Sequence, residues 1–290
     1  MKKAFLILGL LFFVNSICPA QESGNRIYGY QQNKRQPTVN SGSLLSNNQF
    51  FIEASVLLNI KPDSFVAVFG VAEEAKDAVE SSTKVDQRID AFIKGMNGLG
   101  ITGNDVFVDF ISQNRVYDFQ VSADAAQEYL AGFETKKTVA VKYKSRDSFE
   151  KILAAATNSG IFDLIKVDYI VSDFEPVRAR LFEEAAKIIK QKETRYRNAF
   201  DMTLKSVGPT VEKYDAFYPA ERYENYKAFE AGAARTTNYR DGKTFVYLRK
   251  STTFFYEPLD GKSFDKMINP VGIEPTVQFT IYLQVKYNLI

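Results

Sequence analysis

Histidine is absent from this 290-residue chain, and cysteine occurs once, at Cys18. Imidazole is the group that ordinarily changes charge near neutral pH, and thiolate and imidazole supply most protein nucleophiles and transition-metal ligands. Cys18 lies in a segment that reads as an export signal. Once that segment is removed, neither group remains, and most routes to nucleophilic, acid–base and transition-metal chemistry close before any spacing is considered. An internal disulfide is excluded as well, so stability must come from the core or from assembly.

The export reading rests on residues 1–20. Lys2 and Lys3 form a positive start, Ala4 to Val14 an apolar run, and Asn15 to Ala20 a polar, helix-breaking stretch whose small residues at 18 and 20 suit cleavage after Ala20. The apolar run is shorter than the ~20 residues a membrane span needs. Ile17 is too large for the position before a lipid-attachment cysteine. Cleavage takes Lys2 and Lys3 from the 37 basic residues and nothing from the 35 acidic ones, which leaves a formally neutral chain. Neutrality argues against nucleic acid as a partner and against a polybasic membrane footprint. With 45% hydrophobic residues, 24 Phe and 16 Tyr, the chain can fill a sizeable core.

Residues 21–49 are rich in Gln, Asn, Ser and Gly and read as a flexible polar leader with a local extended piece. Ile52 to Ile60 and Phe65 to Val71 alternate on either side of Pro62-Asp63, which reads as a hairpin. Apolar spacing from Ala75 to Leu99 predicts a helix over 73–97, stopped by Gly98 and Gly100. A strand over 105–119, a loop over 120–127 and a strand over 129–143 follow. Ser145 or Asp147 caps the next helix, with Asp147 and Glu150 in capping-box spacing, and Asn158-Ser159-Gly160 end it. Ile161 to Val171 is a strand. The longest helix then starts at Ser172 or Asp173, with Pro176 in its first turn. This strand–helix–strand–helix run is a ferredoxin-like β-α-β-α block. Strand pattern returns over 203–218, a hairpin is read at 244–257 inside an irregular segment 219–275, and alternation from Val277 to Leu289 closes the chain.

Several local strings stand out in order: the strand–Pro62-Asp63–strand unit, Gly100-Ile101 followed by Asp105, Tyr129-Leu130-Ala131-Gly132-Phe133 leading into Thr138-Val139-Ala140-Val141, Ser172-Asp173 opening a long helix with Arg180, Glu184, Ala185 and Lys187, and the amphipathic C-terminal strand. In this order they resemble the SIMPL domain, the family that includes the bacterial periplasmic immunogenic proteins. The resemblance spans about 50–218 plus 276–290. The chain departs from the family at Arg195-Tyr196-Arg197 and in a longer 219–275. The resemblance implies an α+β fold, an extracytoplasmic location and ring-like or channel-like oligomers. The family has no established catalytic residues, so none is carried over.

Tested directly, the residues offer little chemistry. Ser81-x-x-Lys84 and Ser263-x-x-Lys266 match the nucleophile string of penicillin-recognising enzymes. The companion strings fail, since Phe174 follows Ser172-Asp173 and Phe245 follows Lys243-Thr244. Glu73-Glu74 and Glu183-Glu184 are neighbours, which do not face each other on a helix. Asn104, Asp105 and Asp109 are too few for an oxygen-ligand metal site. Two aromatic runs remain, Tyr214 to Phe229 and Tyr239 to Tyr256, which suit either an interface or the cover of a sheet. An outer-membrane barrel is disfavoured by the strong helices.

The expectation is therefore an α+β fold: an antiparallel or mixed sheet with a β-hairpin, a long helix, the ferredoxin-like block and a closing C-terminal strand. One SIMPL-like domain is expected over 50–290, with sub-blocks 50–128 and 129–290. No catalytic, cofactor-binding or metal residue is named and no cofactor is expected. The protein is read as an exported, non-catalytic protein of the periplasm or cell envelope that works by self-assembly or binding. Its partners are copies of itself and, peripherally, the outer membrane. The alternatives are a small-ligand or glycan-binding module using exposed aromatics, and a Ser/Lys or carboxylate hydrolase.

Overall fold

Alternating apolar runs build two sheets, and each buries one face under helix. The computed structural model describes residues 43–46, 48–122, 124–227, 234–240, 243–249, 252–270 and 272–290, with side chains described from 48 onward outside 225–253. Residues 1–20, read above as an export signal, and most of 21–49 lie outside the described residues. In chain order the elements are β1 (Ser43–Ser46), β2 (Gln49–Ile60), β3 (Ser64–Ala75), α1 (Ala78–Gly95), β4 (Val106–Val121), β5 (Ala126–Tyr143), α2 (Arg146–Asn158), β6 (Asp163–Ile170), α3 (Glu175–Phe200), β7 (Leu204–Phe217), β8 (Tyr223–Lys227), β9 (Ala234–Arg240), β10 (Lys243–Arg249), β11 (Thr252–Tyr256), β12 (Lys266–Ile268) and β13 (Val277–Leu289). The architecture is α+β, as expected.

Most of the chain, Lys34–Tyr223 with Tyr256–Ile290, forms one compact unit containing both sheets. The first sheet has the order β1-β2-β13-β7, antiparallel throughout, with β12 added in parallel to β2. The second has the order β4-β5-β3-β6, all antiparallel. Read along the chain, the second sheet with its helices is β3-α1-β4-β5-α2-β6, a complete ferredoxin-like unit. The block read from the sequence over 129–200 supplies its second half, and α3 passes on to the first sheet.

Three local readings are corrected. Residues 52–72 do not close as a hairpin: β2 pairs with β1, β12 and β13, whereas β3 pairs with β5 and β6. Pro62-Asp63 is instead the corner where the chain changes sheets. It is pinned by the Asp63 carboxylate, which accepts the Ser172 N–H at 2.8 Å and the Ser172 hydroxyl at 3.0 Å, bonds that hold this acid below the usual carboxylate range. The helix expected from 73 starts at Ala78, because the β5 ladder carries β3 on to Ala75 and the Asp77 side chain caps the Glu80 N–H at 2.8 Å. The hairpin read at 244–257 is not formed: β10 pairs with β9, and β11 pairs with β8. At α2 the capping residue is Ser145, not Asp147.

Each sheet has its own core. Val177, Leu181, Ala185 and Ile189 of α3 pack on Ile52, Val56 and Leu58 of β2 and on Phe279, Ile281 and Leu283 of β13. Val85, Ile89 and Phe92 of α1 and Ile152, Ala155 and Ala156 of α2 pack on Ala67, Phe69, Val139 and Val141. Burying each large side chain of this kind contributes about 1.5–3 kcal/mol. On the other face of the first sheet, the segment around Leu259, Phe264 and Met267 covers Leu57 and Phe217.

The β2 edge of that sheet is closed by two kinds of group. β1 pairs with residues 49–52 and β12 with 56–58. Between them, Lys192 donates to the Glu53 carbonyl at 2.8 Å and the Ser55 N–H donates to Asp265 at 2.9 Å, while Lys192 and Asp265 pair at 2.6 Å. Side chains thus replace the ladder for the Glu53 carbonyl and the Ser55 N–H, between the reach of β1 and β12.

A smaller unit has its described residues within Glu224–Phe255 and contains the β9–β10 ladder and most of β8 and β11. The chain leaves the larger unit after Tyr223 and re-enters it at Tyr256. At that point Glu257 N–H donates to the Arg222 carbonyl at 2.9 Å, Arg222 Nε donates back to the Glu257 carbonyl at 3.1 Å, and the Tyr223 and Tyr256 rings lie 5.9 Å apart.

Candidate interaction surface

β4 and β5 are longer than the sheet that holds them. β4 has 16 residues and β5 has 18, yet β3 pairs only with 133–143 of β5. Beyond Phe133 the pair continues alone to the Val121–Ala126 rung, a two-stranded arm about 20 Å long at ~3.3 Å per residue. Ser122 closes its tip, with N–H and hydroxyl both donated to the Ala125 carbonyl at 2.8 and 3.0 Å. The strand alternation VFVDFISQNRVYDFQV makes the arm a strand, but no helix covers it, because α1 lies on β3 and β5. The boundary read at 128/129 falls inside β5, within the arm.

The arm departs its sheet through a close backbone contact. Gly132 lies opposite Val116 at a bulge, and a Cβ there would stand 2.4 Å from the Ala75 carbonyl oxygen. Only glycine lets β5 pass the end of β3 at this distance. Beyond it, Tyr117, Phe119 and Val121 share one face by strand alternation, with Leu130 opposite Tyr117. Phe119 is 58% exposed and Val121 76%; nearer the sheet, Phe107 is 66% and Phe110 58% exposed. Phe107 is on the opposite face from the others, and the run Phe110, Tyr117, Phe119 and Val121 along one face is an exposed apolar stripe uncommon on a solitary soluble chain.

The residues singled out in the sequence are dispersed. Ser81 is fully buried, its hydroxyl 2.7 Å from that of Thr135, and Lys84 pairs with Glu80 at 2.8 Å, which raises the lysine's pKa. Ser263 ends a 3-10 turn, and Lys266 reaches Glu184 at 2.6 Å, which lowers that acid's pKa. Glu73 and Glu74 lie on β3 rather than on a helix, and Glu73 binds Arg88. Asp105 turns back to accept the Thr102 N–H at 2.9 Å and its hydroxyl at 2.6 Å. Among the described residues no group of three or more His, Cys, Asp or Glu is placed to hold a metal ion, and no helix is long and apolar enough to cross a membrane.

The aromatic run 214–256 is not one surface. Phe217 is buried against Leu57 and Leu259, Tyr214 lies beneath the Arg178 guanidinium at 5.8 Å, and Phe254 is exposed. Side chains of Tyr226, Phe229, Tyr239, Phe245 and Tyr247 lie outside the described residues. Sequence reasoning passed over the arm. Its available signal was apolar alternation continuing on both sides of a short turn.

Comparison with known proteins supplies the family. The model of SIMPL, described as a protein of unknown function (DUF541), matches residues 52–254. The chain belongs to the SIMPL family. The match begins inside β2, takes in the whole ferredoxin-like unit with its arm, and ends inside β11. It therefore includes 219–254, which the resemblance in local strings left aside, and stops short of β13. Among SIMPL relatives, the chain is similar to an uncharacterized protein, YggE, of Edwardsiella ictaluri. The two are 23% identical over 167 residues, 58% of this chain and 69% of that one.

Proposed function

We propose that this SIMPL chain is an exported, non-catalytic protein of the cell envelope that acts through contacts of its surface, by assembly or binding. The exposed apolar β4–β5 arm carries the reading, since keeping such rings in water serves no purpose in a chain that works alone. The export-like residues 1–20 and the neutral charge of the remainder support the location. Size-exclusion chromatography with light scattering on residues 21–290 tests it. A mass above that of one chain is expected, and a strict monomer over a wide concentration range overturns assembly. The non-catalytic part has its own test: a serine-reactive probe should leave the protein unlabelled, and labelling that depends on Lys84 would overturn it.

A second reading has one specific observation behind it. Phe174, Val177, Leu181, Tyr214, Ala216 and Phe279, with Arg178 and Asp215 beside them, line an open cleft of about 200 Å³ between α3 and the β7–β13 pair. Its mix of rings and charges suits a small amphipathic aromatic ligand. Such a ligand seated there would raise the melting temperature, and Ala216→Leu, which fills the cleft, would abolish the rise.

A further inference from the structure

We infer that the β4–β5 arm pairs with the same arm of a second copy of this chain, edge strand β4 against edge strand β4, antiparallel about a two-fold axis. The inference rests on the surface-contact reading and names its partner.

The first argument is the state of the edge. Among the described strands β4 pairs with β5 alone, so its outer backbone groups are open along its length. Free edges are normally blunted with lysine, proline, bulges or cover. The edge strand β7 shows this, carrying Lys205, Pro209 and Lys213 with two register shifts. β4 contains neither lysine nor proline; besides the charges of Asp109, Arg115 and Asp118 its one guard is the bulge at Ile111.

The second argument is the exposed apolar face. Phe107, Phe110, Ile111, Tyr117 and Phe119 are each half or more exposed. Phe110, Tyr117 and Phe119 share one face of β4, Phe107 the other, so edge pairing brings apolar side chains into cross-strand contact on the first of these faces. Because both copies bring the same patch, the contact is isologous and closes on itself rather than propagating.

The third argument is self-complementarity, which selects a register. Setting Val106 opposite Phe119 places Val108 opposite Tyr117 and Phe110 opposite Arg115, each pair occurring twice by symmetry and each on one face. Phe107 then meets Asp118, and Asp109 meets Val116, so no like charges are opposed. The neighbouring register, Val106 opposite Val121, sets Asp109 against Asp118 and is disfavoured by that repulsion.

The cysteine-free mature sequence makes the test direct. In residues 21–290, Val108→Cys with Tyr117→Cys places two thiols nearly 30 Å apart within one strand, too far to join internally. Oxidation should give covalent dimers at low micromolar concentration, and neither single variant should do so. Phe110→Lys with Phe119→Lys should weaken association at least about tenfold by light scattering, with the circular dichroism spectrum unchanged. Assembly that survives the lysines, or that forms without the 108–117 cross-link, overturns the arm pairing while the surface-contact reading stands. A monomer at every concentration overturns both the arm pairing and assembly, leaving binding of another partner.

Discussion

The two sheets solve the same packing problem and finish it differently. Each buries one face under helix with a core of Leu, Ile, Val and Phe. The β1-β2-β13-β7 sheet is then sealed on its β2 side: the Leu259–Met267 segment lies over Leu57 and Phe217, and the gap between β1 and β12 is filled by Lys192 and Asp265, while its β7 edge is guarded by Lys205, Pro209 and Lys213. The β4-β5-β3-β6 sheet is left open, with Phe107 and Ile165 exposed and the arm running past its neighbours. Helix on sheet is enough to hold both. Protection of edges and outer faces is a separate property, and the first sheet is closed or guarded along its edges where β4 of the second is not.

The comparison can be broken most forcefully in the cores. Phe92 is fully buried, with its ring 5.3 Å from that of Phe69. Phe92→Ala should cost about 3–5 kcal/mol in urea unfolding, and Leu181→Ala under the sealed sheet about 2–5 kcal/mol. If the two sheets form one cooperative unit, each variant shifts a single transition. Two separated transitions would show that open and sealed halves are independent.

High pH gives the next largest effect and reads both cores at once. Burial pushes Tyr143, in the open sheet's core, up to about 12; burial with Glu193 does the same for Tyr287 in the sealed sheet's core. An unfolded tyrosine ionises near 10. Below that pH the contribution is fully present, and it falls as pH rises from 10 to 12, on the order of 2 kcal/mol for the pair after allowing for water penetration. The urea midpoint should drop over that interval, and Tyr143→Phe and Tyr287→Phe should each flatten the slope.

Smaller again is Gly132→Ala, about 1–2 kcal/mol from the clash with the Ala75 carbonyl. It should loosen the root of the arm and speed amide exchange in 126–132, leaving exchange in β13 unchanged. The smallest effect separates contact from stability. Phe119→Lys, on the exposed arm, should move the urea midpoint by no more than about 0.5 kcal/mol. A larger loss would mean that the arm belongs to the folded core.

What could be read from the residues follows the range of the interaction. β13, the long helix α3 and the second half of the ferredoxin-like unit were legible because periodicity, caps and Pro176 act within a few residues. The destination of β2 was not. Two alternating runs around Pro62-Asp63 look alike whether they pair with each other or with strands elsewhere, and the β2 partner Ile281 is over 200 residues away. The start of α1 was misplaced because Glu73, Glu74 and Ala75 suit a helix, while their ladder with β5 decides otherwise. The hairpin 234–249 carried a usable signal, Asp241-Gly242, that was overlooked. The arm was hidden for another reason: alternation marks a face as apolar without saying that anything covers it.

The meeting of Arg222 with Glu257 bears on how the family can vary. Those mutual bonds bring the two ends of the 224–255 excursion together, whatever lies between them. The entropy of closing such an excursion grows only logarithmically, by ~0.6 kcal/mol for each doubling of its length. Insertions and deletions at this point are therefore nearly neutral for the remainder of the fold. Divergent SIMPL sequences should show their greatest differences in length between the counterparts of Tyr223 and Tyr256, making this junction the place where lineages can append new surface without redesigning the scaffold.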